Sequence, residues 1–121
     1  MSVNLAVVSL WAEDVPMAVH FYRDVIGLKL LQHHGDRPHF DLDGTYLVIL
    51  RGKPIPAGDA VPEQFPLLAF AVPDLDAATK KLHKHQLKLT WGGDEHAGSR
   101  WVIFNDPAGN LIELVQFQAE I

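Results

Sequence analysis

The chain has 121 residues, of which 48% are apolar, so it is long enough to form one folded domain with a sizeable core. Its formal net charge is −5 and it carries no dense cluster of Lys and Arg, which argues against a nucleic-acid partner. The absence of cysteine excludes disulfides, thiol nucleophiles and cysteine-ligated metals.

The apolar runs of the sequence are short. None approaches the length of a membrane span, and the first residues, Met-Ser-Val-Asn-Leu, lack the basic region and long apolar run of a signal peptide. The sequence therefore predicts a cytoplasmic protein with no membrane partner.

Residues 3–26 predict a strand followed by a helix. Val3 to Leu10 is a run rich in Val and Leu, and Asp14-Val15-Pro16 supplies a helix N-cap with a proline in the first turn. Gly27 is placed to end the helix. At helical spacing, the predicted buried face consists of Val15, Ala18, Val19, Tyr22, Val25 and Ile26.

Three strands are predicted next, and they complete a βαβββ module over residues 1–50. Their predicted bounds are Leu28 to His34, His39 to Asp43, and Thr45 to Leu50. Asp43-Gly44 has the composition of a tight turn and joins the last two strands into a hairpin. The Pro-rich stretch 51–64 predicts a linker.

The same order restarts over residues 65–117. Phe65 to Val72 predicts a strand, Asp74 an N-cap, and Leu75, Ala78 and Leu82 one face of a second helix. Its solvated face is predicted from Lys80, Lys81, Lys84 and Lys88. The remaining strands are predicted at Leu87 to Trp91, Arg100 to Asn105, and Leu111 to Phe117, so βαβββ is written twice.

The last predicted hairpin contains an isolated carboxylate. Asp106-Pro107-Ala108-Gly109 predicts a turn between two apolar strands. Because side chains alternate along a strand, Glu113 shares one face with Leu111, Val115 and Phe117. Such a residue is either an edge carboxylate that reaches water or a polar anchor in a ligand site.

Three segments resemble the glyoxalase, bleomycin-resistance and extradiol-dioxygenase superfamily, also called the vicinal oxygen chelate proteins. They are Asp14 to Leu28 (DVPMAVHFYRDVIGL), Ala69 to Ala77 (AFAVPDLDA) and Asp106 to Leu114 (DPAGNLIEL). The resemblance implies an α+β fold of two βαβββ modules with curled mixed sheets around a cavity, and a homodimer whose sites use both modules. It covers nearly the whole chain, so residues 1–121 are interpreted as a single glyoxalase-like domain.

The resemblance also implies where a metal would bind. Metal-dependent members carry a His on the first strand of each module and a Glu or another ligand on the last strand. In this chain the two His positions correspond to Val7 and Leu67, and the module 1 counterpart of Glu113 is Val48. Because catalytic metals generally need about three protein ligands, the sequence predicts neither a metal nor a cofactor.

Seven histidines are the rival candidates for a metal site. His33 or His34 can pair across the Gly35-Asp36 turn with His39, which would give a metal or catalytic site outside the superfamily pattern; ordinary hairpin surface is the alternative. His83 and His85 point in different directions on the second helix and are interpreted as surface.

The Gly-rich segment from Gly92 to Gly98 contains His96. It is either a mobile lid or a simple connector, and the connector is the preferred interpretation.

Further ligand-binding candidates come from strand parity. Ser9 and Trp11 share a face with Val7, in the row that the resemblance places toward the cavity. Trp91 and Trp101 line a pocket or belong to the core. For Arg100 three roles are open: contact with an anionic ligand, pairing with Glu113, or a place on the surface. The predicted ligand-binding set is Val7, Ser9, Trp11, Val48, Leu67, Arg100, Trp101 and Glu113.

The sequence thus predicts a homodimeric, metal-independent protein that binds or sequesters a small, partly apolar molecule. One alternative is a metal-dependent lyase, isomerase or dioxygenase. The other is a metal-free enzyme with Glu113 as the catalytic general base. In its apolar row Glu113 is expected to titrate high or to find a donor such as Arg100 or Ser9.

Overall fold

The computed structural model describes residues 2–31, 37–54, 66–87, 89–96 and 99–117, and over residues 90–96 it describes the backbone alone. The chain divides after Pro54 into two compact units, module 1 and module 2. Most of the predicted linker at residues 51–64 lies outside the described residues, so its bounds stay a prediction.

Module 1 contains a helix and a four-stranded mixed sheet. In chain order its elements are β1 Val7–Ala12, α1 Val15–His20, a π-helix Phe21–Ile26, β2 Lys29–Leu31, β3 His39–Asp41 and β4 Tyr46–Arg51. The strands lie in the order β1-β4-β3-β2, with β1 parallel to β4 and the other neighbours antiparallel. Of the predicted second strand, residues 32–34 lie outside the described residues.

The helical segment of module 1 begins and ends at the predicted residues. The Asp14 carboxylate accepts a hydrogen bond from the backbone N–H of Met17 at 3.0 Å, which satisfies one of the free donors of the first turn. Gly27 ends the segment with a φ of 93°, a left-handed conformation that glycine adopts without a steric penalty. The predicted N-cap and the predicted terminating glycine are confirmed.

The middle of that segment differs from the prediction. Phe21, which the helical spacing left out, is buried, whereas Val19 and Ile26 are only partly buried. For Ile26 the cause is the π-helix after His20, because its wider turn changes the period with which side chains return to the sheet; Val19 precedes it, in α1. The predicted face is therefore wrong at Val19 and Ile26.

Module 2 repeats the architecture. Its elements are β5 Leu68–Ala71, α2 Leu75–Lys84, β6 Leu89–His96, β7 Ser99–Asn105 and β8 Leu111–Phe117. The strands lie in the order β5-β8-β7-β6, with β5 parallel to β8 and the rest antiparallel. Asp74 caps α2, since its carboxylate accepts from the backbone N–H of Ala77 at 3.1 Å.

Strand β6 is longer than predicted. Gly92 pairs with Val102 and Gly93 with Trp101, and the pairing resumes at His96 after an irregularity in the register. The interpretation of this segment as a connector is therefore wrong for residues 92–96, while residues 97 and 98 lie outside the described part of the chain.

The predicted turns at Asp43-Gly44 and at Asp106 to Gly109 are confirmed, while the predicted turn at Gly35-Asp36 lies outside the described residues. Asp43 and Gly44 have positive φ values of 59° and 108°, and the N–H of Leu42 donates to the carbonyl of Thr45 at 2.8 Å. In the second turn Gly109 has a φ of 96°. The buried Asp106 carboxylate there accepts from the N–H groups of Ala108 and Asn110 and from the Asn110 side chain.

Each module buries its core between the helix and one face of its sheet. The most deeply buried side chains are Tyr22, Phe40, Leu47 and Ile49 in module 1, and Leu82, Phe104, Ile112 and Leu114 in module 2. The fold is thus α+β, with two βαβββ modules and curled mixed sheets. The other face of each sheet is not covered by the helix of its own module.

None of the helical segments in the described part of the chain combines the length and the apolar character needed to cross a membrane. The cytoplasmic location stays a prediction.

Candidate functional site

The two faces of the module 2 sheet are distinguished by hydrogen bonds to α2. Gln116 of β8 accepts from the N–H of Leu75, the first residue of α2, at 2.7 Å. Ile112 and Leu114 have the same strand parity as Gln116 and are buried on this helix side. The opposite face, the Glu113 face, consists of Ala69 and Ala71 on β5, Trp101, Ile103 and Asn105 on β7, and Leu111, Glu113 and Val115 on β8.

Glu113 lies in the middle of this face, between Ala69 on β5 and Ile103 on β7. It is only partly buried, but Leu111, Val115 and Ile103 around it are buried. This burial raises the pKa of the Glu113 carboxyl above its usual range, because the charged form loses hydration. The predicted high titration agrees with this direction.

Two further predicted site residues, Leu67 and Trp101, lie beside this carboxylate. Ile103 and Leu111 form a buried apolar cluster, and Leu67 and Trp101 pack against it while remaining partly exposed. Trp101 faces Val115 directly across the strand pair, which makes it a diagonal neighbour of Glu113. The Glu113 face is therefore an apolar and aromatic surface with one carboxylate in it.

Arg100 lies on the other side of the sheet. Its register partner is Gln116, on the helix side, and its guanidinium donates to the Asp76 carboxylate of α2 at 3.0 Å. The Arg100 guanidinium holds the pKa of Asp76 below its usual range. The predicted pairing of Arg100 with Glu113 is wrong, because the two side chains leave the sheet in opposite directions.

Asn105 is a polar residue of the Glu113 face that the sequence analysis missed. Its Oδ1 atom is buried and has no hydrogen-bond partner among the described residues. Its parity with Ile103 and Trp101 was the signal that could have placed it on this face.

The sheet of module 1 also has a face away from its helix. The ring of Phe40 on β3 lies 6.1 Å from that of Tyr22 in the helical segment, which identifies the helix side. The opposite face, the His39 face, consists of Val7, Ser9 and Trp11 on β1, His39 and Asp41 on β3, and Tyr46, Val48 and Leu50 on β4.

The predicted site residues of module 1 share this face. Val7 and Trp11 are each 46% exposed, although both are large and apolar, while Val48 is buried and Ser9 partly buried. The indole of Trp11 lies over Gly52, where a Cβ atom would stand only 2.6 Å from its Cδ1. Gly52 thus permits the close approach that holds Trp11 in place.

The strand registers test which residues of module 1 and module 2 are equivalent, as the assignment of the metal positions assumed. Ser9 pairs with Val48 in module 1, and Ala69 pairs with Glu113 in module 2, so Val48 and Glu113 occupy equivalent places. Val7 and Val48 offer no donor atom. Among the described residues no group of three His, Asp or Glu side chains is placed to hold a metal. The residues present do not fit the superfamily's metal site.

The remaining candidates are distributed over the surface. His83, His85, Lys80, Lys81 and Lys84 are exposed on or next to α2, as predicted. The side chains of Trp91 and His96, and residues His33, His34 and Lys88, lie outside the described part of the chain. The predicted pairing of His39 with His33 or His34 therefore stays a prediction.

The chain is similar to known proteins. A family model described as Glyoxalase/Bleomycin resistance protein/Dioxygenase superfamily matches residues 4–114. The uncharacterized protein YaeR of Escherichia coli (strain K12) is 33% identical over an alignment 120 positions long, and the match covers 90% of this chain and 92% of that protein.

Two solved structures illustrate the range of proteins with this fold. Lactoylglutathione lyase from Agrobacterium tumefaciens has a TM-score of 0.71 and 24% identity, covering 96% of this chain and 95% of that chain. TnmS3, an antibiotic binding protein from Streptomyces sp. CB03234, has a TM-score of 0.72 and 23% identity, covering 96% of this chain and 97% of that chain. At these identities the likeness shows the fold alone.

Proposed function

The chain belongs to the Glyoxalase/Bleomycin resistance protein/Dioxygenase superfamily, and on that premise we propose that it binds a small, partly apolar molecule without a catalytic metal. The polar anchor of the ligand is Glu113, on the Glu113 face of module 2. Proteins of this fold include a lyase and an antibiotic binding protein, so the fold is compatible with both catalysis and binding. The choice between them rests on the side chains of this chain.

The observation that carries the proposal is the environment of Glu113. The carboxylate is partly buried among apolar side chains, and its pKa is raised by that burial. A ligand that brings a positive charge or an N–H or O–H donor would compensate the lost hydration. Leu67 and Trp101 would contact the apolar part of such a ligand.

The other predicted ligand-binding residues have different places in the proposal. Val7, Ser9, Trp11 and Val48 are assigned to binding on the His39 face of module 1. Arg100 is left out, because its guanidinium is held by Asp76 on the helix side.

Binding of matched indole probes tests the proposal. Tryptamine carries an ammonium group, whereas indole-3-propionate carries a carboxylate on the same ring. Tryptamine is expected to raise the melting temperature in proportion to the logarithm of its concentration above Kd, and indole-3-propionate is expected not to. Replacement of Glu113 by Gln keeps the shape and removes the charge, so it should weaken tryptamine binding roughly tenfold or more.

The matched control is Glu13→Gln, which removes the same charge from an exposed residue of module 1. It should leave the affinity for tryptamine unchanged. An equal loss of tryptamine affinity in both variants would mean that the effect comes from net charge alone, and it would contradict the proposal. Native mass spectrometry of the freshly purified protein would identify any natural ligand that remains bound.

A metal-free enzyme is the second candidate, and the raised pKa of Glu113 favours it, since a general base works best with a pKa near the operating pH. Once a substrate is known, Glu113→Gln should then lower kcat by about 10²–10⁴-fold with a smaller effect on KM. An unchanged kcat would leave binding as the only role of Glu113.

The homodimer remains part of the proposal. It is supported by the exposed apolar side chains Val7, Trp11 and Tyr46 on the His39 face, a surface that would gain from being covered. Sedimentation equilibrium at micromolar concentration tests it. A monomer that still binds ligand would contradict the dimer and leave the binding proposal intact.

A further inference from the structure

The side chain of Asn105 on β7 holds a hydrogen-bond acceptor that is buried but has no donor. Its Oδ1 atom is shielded from solvent, and no described residue donates to it. Burial removes the hydration of such an atom without compensation, so native structures retain few of them. An acceptor in this state is stabilised by any molecule that brings a donor to it.

Asn105 lies diagonally across the sheet from Glu113. In the ladder between β7 and β8, Ile103 faces Glu113 and Asn105 faces Leu111. These four side chains leave the sheet on the same side, because they share strand parity. Asn105 and Glu113 thus form one diagonal of a square, and Ile103 and Leu111 form the other. Diagonal neighbours lie about 7–8 Å apart, a separation that one small bound group can bridge.

The second diagonal of this square is an apolar floor. Ile103 and Leu111 are buried against each other, and Leu67 and Trp101 pack against them.

The first diagonal carries two acceptors. Among the residues that the structure describes, none donates to the Glu113 carboxylate, just as none donates to Oδ1 of Asn105. An ionised carboxylate and an amide oxygen can both only accept. Two acceptors on opposite sides of an apolar floor match a flat group with N–H donors on two of its edges.

We propose that Asn105 determines the specificity of the Glu113 face, which selects a planar cation with diverging N–H groups, an amidinium or a guanidinium, on an apolar body. One edge of the cation donates to the Glu113 carboxylate, which carries the opposite charge, and another edge donates to Oδ1 of Asn105. An ammonium group has all its donors on one nitrogen, so it serves Glu113 without reaching across the diagonal. The inference rests on the proposed function, because it names the class of ligand that the Glu113 face takes.

The first test compares benzamidine with benzylamine, which have the same ring and are both cations at neutral pH. The proposed function alone predicts that both bind. Benzamidine is expected to bind roughly tenfold more tightly or better, as one further hydrogen bond from a charged donor implies. Isothermal titration calorimetry of the full-length protein measures both affinities. Equal affinities, which would also result if solvent already satisfies the amide, would overturn the inference.

Variants of Asn105 locate the preference. Asn105→Leu keeps the approximate size of the side chain and removes the acceptor, so it should abolish the preference for benzamidine and leave the affinity for benzylamine unchanged. Asn105→Asp retains an acceptor and should retain the preference. Asn4→Leu, at an exposed residue of module 1, is the matched control and should change neither affinity. An equal loss of both ligands in Asn105→Leu would assign Asn105 to the shape of the face and overturn the inference.

The melting temperature without ligand separates specificity from a structural role. Since Oδ1 of Asn105 has no described partner, Asn105→Leu removes an uncompensated acceptor and should melt at the same temperature as the parent or above it. A clearly lower melting temperature would show that the amide has a partner in the folded chain, and it would overturn the inference.

Tryptamine distinguishes failure of this inference from failure of the proposed function. If tryptamine binds through Glu113 while benzamidine and benzylamine bind equally, the proposed function stands and this inference alone is overturned. If none of the three cations binds, the proposed function is contradicted, and the inference that rests on it falls as well.

Discussion

The two modules can be compared position by position across the middle of their sheets. In module 1 the row across β1, β4 and β3 contains Ser9, Val48 and His39. In module 2 the equivalent row across β5, β8 and β7 contains Ala69, Glu113 and Ile103. Each row has one ionisable side chain, but on a different strand.

This difference shows how the same backbone provides two chemically distinct surfaces. At the equivalent positions Val48 and Glu113, module 1 is aliphatic and module 2 is acidic; at His39 and Ile103 the order is reversed. Module 1 therefore presents an imidazole whose Nδ1 atom lies 2.7 Å from the carbonyl oxygen of Arg37, and module 2 presents a carboxylate whose pKa is raised by burial. The helix sides of the two sheets, in contrast, are alike.

The largest expected effect on the free energy of unfolding comes from the two cores on the helix sides of the sheets. Phe40 and Phe104 occupy equivalent positions, facing Leu47 and Ile112 respectively, and both are fully buried. Replacing either Phe by Ala should lower the free energy of unfolding by about 3–5 kcal/mol, because a large cavity is left. Urea denaturation measures both. A loss below 1 kcal/mol in one variant only would break the equivalence of the two cores.

The two hairpin turns should respond unequally to the loss of a carboxylate. Asp106 is buried and accepts from three donors, whereas Asp41, the carboxylate that caps the module 1 turn, is partly exposed and accepts from the N–H of Asp43. Asp106→Ala should cost about 2–3 kcal/mol of unfolding free energy, and Asp41→Ala about 1 kcal/mol or less. Chemical denaturation of the two variants side by side checks this. Equal losses would contradict the difference in burial and hydrogen bonding.

Much of the fold could be predicted because its signals are local. The N-caps Asp14 and Asp74 and the turn glycines Gly44 and Gly109 act through their immediate neighbours in sequence. The glycines of β6 gave the wrong prediction, since glycine has low strand propensity and only the pairing with β7 makes this segment a strand. The π-helix was missed because the apolar spacing was interpreted with a single helical period.

The candidate site was predictable to the extent that it depends on strand parity. The apolar row around Glu113 followed from alternation alone, and the same rule would have placed Arg100 with Val102 on the helix side. The orientation of His39 was not predictable, because it depends on where the backbone carbonyl of Arg37 lies.

A smaller effect is expected from the charge of Glu113 itself. Its pKa is raised in the folded chain, so the charged form is disfavoured by folding. The contribution of Glu113 to the free energy of unfolding is therefore fully present below the pKa that this residue has in the unfolded chain. It is lost as the pH rises through the pKa of the folded chain. Glu113→Gln should therefore be more stable than the parent at neutral pH, by a few tenths to about 1 kcal/mol after allowance for partial exposure, and the difference should vanish in acid.

Thermal unfolding of the parent and the Glu113→Gln variant from pH 4 to pH 8 measures this difference. Glu13→Gln, the exposed control, should show no such pH dependence. A variant less stable than the parent at neutral pH would mean that the carboxylate has a donor in the folded chain.

The smallest expected effect is that of metal removal, for which no change is predicted. Val7, Val48 and Leu67 occupy three of the four ligand positions that the superfamily uses, and an aliphatic side chain cannot become a donor by rotation. Protein purified without chelator should therefore contain no stoichiometric zinc, nickel, iron or manganese by elemental analysis, and EDTA should leave its melting temperature unchanged. Stoichiometric metal that is lost in Glu113→Gln would show that other residues complete a site around this carboxylate, and a metal-dependent lyase, isomerase or dioxygenase would then replace the binding protein as the proposed function.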